Sequence, residues 1–366
     1  MGETGIATKP QRNYGLDLLR MVAMFMIVVI HVLDKGNVIG SAEKFSLNHG
    51  IANFMYMLVY CAVNCYALIS GYFAATSKYR YSSLAALWLR VAFYSVTVTV
   101  IVMIAMPELF SIKQLVFSFL PVSTKRYWYF TAYFALFIIS PLINVAVNKL
   151  TKKQLKYISI LLIFTLSVLS LVTRNDVFSL YAGYSPLWLI ALYIVGAYIG
   201  KYNAFENVTK PKAFLGYLLF SAITWGVKYI IETTSISIVS ENVLRSYISP
   251  TMVGSAVCLL ILFRQLSLKG FIQKIVVFCA PLCFSVYLIH THYLVYHNIL
   301  LNRFESLASL SAPLMVLAVI GVSLGIFVVC ILIDAVREAI SKKLKIKKRL
   351  ANFEDKHFNI WSDSEE

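Results

Sequence analysis

Residues 15–33 read GLDLLRMVAMFMIVVIHVL. A hydrocarbon core of about 30 Å takes roughly 20 helical residues to cross. This stretch is long and apolar enough, yet it carries Asp17, Arg20 and His31. At about 100° per residue, Arg20 and His31 return to within about 20° of each other, and Asp17 lies about 60° from Arg20. All three therefore share one helix face, with Arg20 and His31 about 16 Å apart along the axis. A charge inside a bilayer is costly and marks a functional site by default. The structural alternative is an Asp17–Arg20 ion pair near the head groups, with His31 hydrogen-bonded to a neighbouring helix.

The rest of the chain has the same character. Of its 366 residues 59% are apolar and only 14% charged, with a mean hydropathy of +0.75. Soluble chains run nearer ~45–50% apolar and ~25% charged, so a soluble enzyme, a disordered tail and a collagen-like fibre are excluded. The apolar runs predict an all-α, polytopic membrane protein of about ten spans: Leu16–Leu33, Ile51–Ala75, Leu84–Met106, Trp128–Val147, Tyr157–Val172, Leu187–Gly200, Phe214–Ile231, Thr251–Phe263, Ile275–Tyr296 and Leu314–Ile333. The sixth and eighth are short. The first reads as a retained span, because it holds an Arg and no small-residue cleavage site follows. No repeat or linker divides the chain, so residues 1–335 form one integral domain, followed by a basic tail over 336–366.

Charge orients these spans. With the N-terminus inside, the inner segments carry Lys9, Arg12, Lys78, Arg80 and the basic groups within 149–156, 201–212 and 264–274, plus the tail. The outer ones carry Lys35, Lys44, Lys113, Lys125, Arg126, Arg174, Arg245 and Arg303. The inner excess follows the positive-inside rule and predicts both termini in the cytoplasm of a cell-membrane protein. The net charge of +16 therefore reflects topology rather than nucleic acid, and the run 342–349 suits anionic lipid head groups. The six cysteines all lie in apolar runs without metal or disulfide spacing and read as packing residues. The opening MGETGI lacks the Ser or Thr that myristoylation takes at its sixth position.

A second constellation lies in the ninth run, which holds Tyr287, His290 and His292. His290 and His31 sit at the same depth from the start of their spans. His292 is about 200° from His290 and cannot share its face, and His297 falls at the outer rim. Near the inner side are Arg20, Arg90 and Ser70-Gly71-Tyr72. Two buried arginines there suit a phosphorylated cofactor, since a guanidinium makes bidentate, charge-assisted bonds to phosphate. Near the outer side, Lys228 and Glu232 are spaced i,i+4, and Tyr127-Trp128-Tyr129 reads as an aromatic belt or a sugar platform.

The Arg20-to-His31 spacing resembles the opening signature of the membrane-bound acyltransferase-3 family, and further likenesses follow in order. ALISGY at 67–72 resembles the family's Ser-Gly-aromatic end of the second helix. YWYFTAYFALFIISPLI at 127–143 resembles its Trp-to-Pro fourth helix, LYIVGAYIG at 192–200 its sixth, and VYLIH at 286–290 its ninth. The resemblance spans residues 12 to about 335. One departure stands out: the family tends to carry two arginines three apart in the third helix, and Leu87 occupies the earlier position.

What the resemblance implies is transfer of an acyl group, commonly acetyl, from cytoplasmic acyl-CoA to a hydroxyl of a surface polysaccharide or lipid-linked sugar, with no metal. On that reading Arg20, Arg90 and Ser70 hold the donor. Catalysis falls to His31, as general base or acyl carrier, together with Arg20 and His290. A transporter or flippase would use the same buried polar residues as a path, but it predicts inverted repeats, and the two halves show no convincing one.

Overall fold

The Asn13 side chain accepts a hydrogen bond from the Leu16 N–H and caps α1, Tyr14–Asp34. A computed structural model describes residues 12–76, 79–234 and 244–358; Lys9, Lys78, the opening residues and the chain beyond 358 lie outside the described residues. The principal elements after α1 are α2 (Leu47–Val59), α3 (Ala62–Tyr72), α4 (Tyr81–Ala105), α5 (Trp128–Lys149), α6 (Lys152–Ile163), α7 (Pro186–Lys201), α8 (Lys210–Thr234), α9 (Pro250–Arg264), α10 (Gly270–Cys279), α11 (Cys283–His290), α12 (Ala312–Lys343) and α13 (Ile346–His357). The chain is all-α, as its apolar runs predict.

α1 is the central post. It packs against α2, α3, α9, α10, α11 and α12, and Leu16, Leu19, Ala23 and Val28 on it have no exposed surface. The apolar window of α1 is 67% buried within the protein, against 22–33% for α4, α5, α6, α8 and α12. The latter therefore form the rim, and their exposed Ile104, Leu142 and Leu317 present an apolar surface of the kind lipid requires.

Close backbone contact locks α3 to α7. A Cβ on Gly71 would sit 1.9 Å from the Tyr193 carbonyl oxygen, one on Gly196 2.2 Å from that of Leu68, and one on Gly200 2.0 Å from that of Tyr72. Gly196 and Gly200 stand four apart, the small-xxx-small spacing that lets helices approach closely in a membrane. The motif glycines of the second and sixth runs are thus packing residues.

Among the described residues, seven helical stretches are long and apolar enough to cross a membrane, with α2 and α3 counted as one (Leu47–Tyr72) and α6 continuing to Thr173, or eight if the pair α10–α11 is one span. α7 and α9 are apolar but shorter, and ten crossings would require both. The ninth run is not one straight helix: α10 and α11 meet at 48°. The break surrounds Pro281, which has no N–H to give and clashes with the preceding turn. α12, at 32 residues, reaches about 48 Å at 1.5 Å per residue. It outruns the hydrocarbon core and carries the chain without interruption across residue 335.

The tail then folds back. Glu354 on α13 accepts from the Tyr81 N–H (2.6 Å) and from the Ser82 N–H (3.1 Å), two open donors at the start of α4. Arg80 pairs with Glu354 (3.1 Å) and Asp355 (2.5 Å). Burial raises the Glu354 carboxyl, but the bonds from Ser82, Arg80 and Tyr81 outweigh it and hold the group below the usual carboxylate range.

Candidate active site

Polar groups collect at the two ends of α1, with apolar and aromatic side chains between them. At the end that carries residue 12, Asp17 accepts from Arg20 and from Arg12, each at 2.6 Å. The expected Asp17–Arg20 pair is therefore present, and Arg12 makes it a triad with one net positive charge. Arg20 lines two adjoining cavities. One, of about 500 Å³, is also walled by Arg12, Asn13, Phe73 and Pro281. The other, of about 230 Å³, includes Ser70, Ser83, Tyr133, Ser140 and Asn144.

Arg20 and Ser70 thus share a cavity, as the sequence suggested. Arg90 does not line it. Its guanidinium donates to the Pro281 carbonyl (3.0 Å) and pairs with Glu338 (3.5 Å). Glu338 also receives Arg337 (2.9 Å) and Lys347 (3.2 Å), and Asp334 is held by Arg337 and by the Tyr94 hydroxyl. This charged cluster ties α4 to α12. Arg90 reaches the Arg20 cavity through Pro281, which forms one of its walls. Sequence reasoning treated Arg12 as a topology signal and missed it as the second guanidinium of that cavity.

Tyr66 and Tyr129 stand along the middle, with Met24, Ile27, Val63 and Phe284, around a narrow apolar space of about 30 Å³ that ends at His31. The Tyr66 hydroxyl donates to the Arg20 carbonyl (2.7 Å), which fixes the tyrosine to α1. Tyr129 takes the Tyr287 hydroxyl on its backbone N–H (3.3 Å), while its own hydroxyl is buried with no partner among the described residues.

At the far end His31 meets His290: Nδ1 of the first lies 2.9 Å from Nε2 of the second. The matching depth read from the two runs is therefore a contact. His290 Nδ1 lies 2.5 Å from the Val286 carbonyl oxygen. A carbonyl can only accept, so His290 carries its proton on Nδ1. With both rings neutral, His290 Nε2 is an acceptor and His31 donates from Nδ1. The lone pair on His31 Nε2 is then left for chemistry. His292 turns away, toward the Thr99 hydroxyl (3.1 Å) and the Ser95 carbonyl (3.2 Å). The helical offset expected from the sequence does not apply, because α11 ends at His290 and His292 has a non-helical backbone that caps the next short helix.

His31 opens on a second, larger cavity of about 370 Å³. Its walls are largely aromatic: Tyr60 stacks on Tyr247 with centroids 4.7 Å apart, Trp128 lies 5.9 Å from Tyr247, and Arg245 sits 4.4 Å over Tyr56. Trp128 thus belongs to the site wall as well as to the start of α5. Arg245 bonds Asp34 (3.0 Å) and the Tyr56 hydroxyl (2.9 Å). Lys228 and Glu232 pair at 3.0 Å on α8, outside this cavity.

A basic end and, on the same helix, a histidine whose Nε2 lone pair is left for chemistry beside an aromatic cavity form an arrangement suited to group transfer. Residues 13–334 match the acyltransferase-3 family, described as an acyltransferase domain. The chain belongs to this family. It is a multi-pass membrane acyltransferase. No curated protein and no solved structure matches it.

Proposed function

We propose that this acyltransferase moves an acyl group, commonly acetyl, from cytoplasmic acyl-CoA to a hydroxyl of a cell-surface polysaccharide or lipid-linked sugar. The observation that carries the reading is the His31–His290 contact on the same helix as Arg20, with a small apolar space lined by Tyr66 and Tyr129 beside His31. The donor's phosphates meet Arg20 and Arg12 at the end that the charge distribution predicts to be inside, and Ser70 lines the adjoining cavity that Arg20 shares. Arg90 serves that end as a positioning residue, holding the Pro281 wall. The side chains around Tyr66 and Tyr129 part to admit the pantetheine arm, and the thioester then lies about 16 Å along α1, beside His31.

His31 Nε2 takes the proton of the acceptor hydroxyl as its oxygen bonds to the thioester carbon. The C–S bond then breaks, the acyl group stays on the sugar oxygen as an ester, and the proton passes to the sulfur to give free CoA. His290 keeps Nδ1 of His31 protonated and the ring in place, as a positioning residue. The aromatic walls of the His31 cavity suit the faces of a sugar ring. A transporter would need no group with the lone pair of His31 Nε2 set beside an aromatic cavity.

The test compares surface-polysaccharide acylation in cells with and without the gene. Loss of ester groups in the deleted strain, restored by the wild-type gene, is the expected result. Unchanged acylation in the deleted strain would overturn the proposal.

A further inference from the structure

The cavity beside His31 is strongly biased in charge. Lys35, Arg126 and Arg245 line it, against a single carboxylate, Asp34. Asp34 is already engaged by Arg245 (3.0 Å) and by Lys35 (3.8 Å). Arg126 is the odd member. Its Nη2 is fixed on the Gln114 carbonyl (2.5 Å) and the Gln114 side-chain oxygen (2.7 Å). Its Nε and Nη1 are buried, with no partner among the described residues.

The two arginines respond in opposite ways. Burial lowers both, but Tyr56 and Asp34 more than restore Arg245, which ends above its ordinary value. Arg126 has no carboxylate, and burial pushes it below. A guanidinium held by one glutamine with buried, unspent donors is costly to the free protein, and an oxyanion brought to it would recover that cost. Trp128 opens α5 just beyond Arg126 with no side-chain cap, so the positive end of that helix adds to the same field.

Resting on the acyl-transfer reading for the role of the cavity, we propose that the acceptor is an anionic sugar: a carbohydrate bearing a carboxylate or phosphate, which Arg126 receives while the ring lies among Tyr60, Trp128 and Tyr247. The charge selects the acceptor and sets the angle at which its hydroxyl meets His31.

Binding to the full-length protein in detergent, without acyl-CoA, tests this apart from catalysis. The probes are methyl glucuronide, glucose 1-phosphate and neutral methyl glucoside. An anionic probe should bind at least about tenfold more tightly than the neutral one, and the preference should shrink as salt rises. Arg126→Gln should bring the ratio close to one, while Arg126→Lys, which keeps the charge, should retain most of it. Preference for glucuronide alone identifies a carboxylate, and preference for the phosphate alone identifies that group. Equal affinity for charged and neutral probes, no binding of either anionic probe, or a preference unmoved in folded Arg126→Gln would overturn the proposal. Charge-selective binding without acyl transfer to any carbohydrate would leave an anionic-sugar site at Arg126 standing and remove the acyl-CoA-to-sugar reading instead. Transfer to neutral sugars alone would do the reverse.

Discussion

Replacing His290 separates its positioning role from the chemistry of His31. The contact between them is one hydrogen bond of 2.9 Å, donated by His31 Nδ1 in the neutral pair. His290→Leu removes the acceptor and leaves that N–H buried without a partner, at a cost of about 1–3 kcal/mol. If the loss falls on the transition state, where the His31 ring gains positive charge, kcat should drop by roughly 5- to 150-fold at 1.36 kcal/mol per decade. His290→Gln supplies an amide oxygen that can accept the same bond, so part of the rate should return. The assay is CoA release by purified, folded variants with a carbohydrate acceptor, read as kcat and KM for acyl-CoA separately. The KM should stay near wild type, because His290 does not line the Arg20 cavities. Wild-type turnover in His290→Leu would refute the positioning role. Loss of all turnover in both variants would make His290 a participant in the chemistry.

Three further outcomes follow from other parts of the molecule. Arg20→Ala should weaken acyl-CoA binding at least about tenfold, since a charge-assisted bond contributes about 1.5–3 kcal/mol; Arg90→Ala should act less on that affinity and more on thermal stability, and equal losses of affinity would place both guanidiniums on the donor. The tail helix should dock above the usual carboxylate range and loosen as pH falls through the depressed Glu354 value, because a lowered folded pKa gives stability that protonation removes. Hydrogen exchange over 346–357 at neutral and acid pH measures this, and Glu354→Gln should loosen the helix already at neutral pH. Gly71→Ala should lower the melting temperature or prevent folding, since its Cβ would meet the Tyr193 carbonyl at 1.9 Å and overpacking costs about 1–3 kcal/mol; an unchanged melting temperature would mean that α3 and α7 can part freely.

Much of this was legible because helical periodicity is strict. The face shared by Asp17, Arg20 and His31 follows from counting residues along one helix, and the equal count to His290 pointed to its partner. His292 lies beyond the end of α11, so its turn does not follow from helical counting. What escaped has one physical cause: it depends on where distant segments meet. Arg126 and Arg245 reach one cavity from segments far apart in sequence, and each alone looked like an ordinary loop charge. Arg12 looked like a topology marker because its partner, Asp17, had already been assigned to Arg20. Arg90 occupies the expected depth but turns to Glu338 and Pro281, and depth alone does not tell which neighbour a side chain meets. Pro281 was a visible sign of the bend between α10 and α11, although hydropathy ran straight through it.

The most direct test of the account is transfer of radiolabelled acetyl from acetyl-CoA to carbohydrate by the purified protein, with His31→Gln beside the wild type. An amide can hydrogen-bond but cannot take the hydroxyl proton, and a general base is worth about 10²–10⁴-fold in rate. Labelled ester is expected with the wild type and none above background with a folded His31→Gln that still binds CoA. Labelled ester formed by His31→Gln at near the wild-type rate would contradict it.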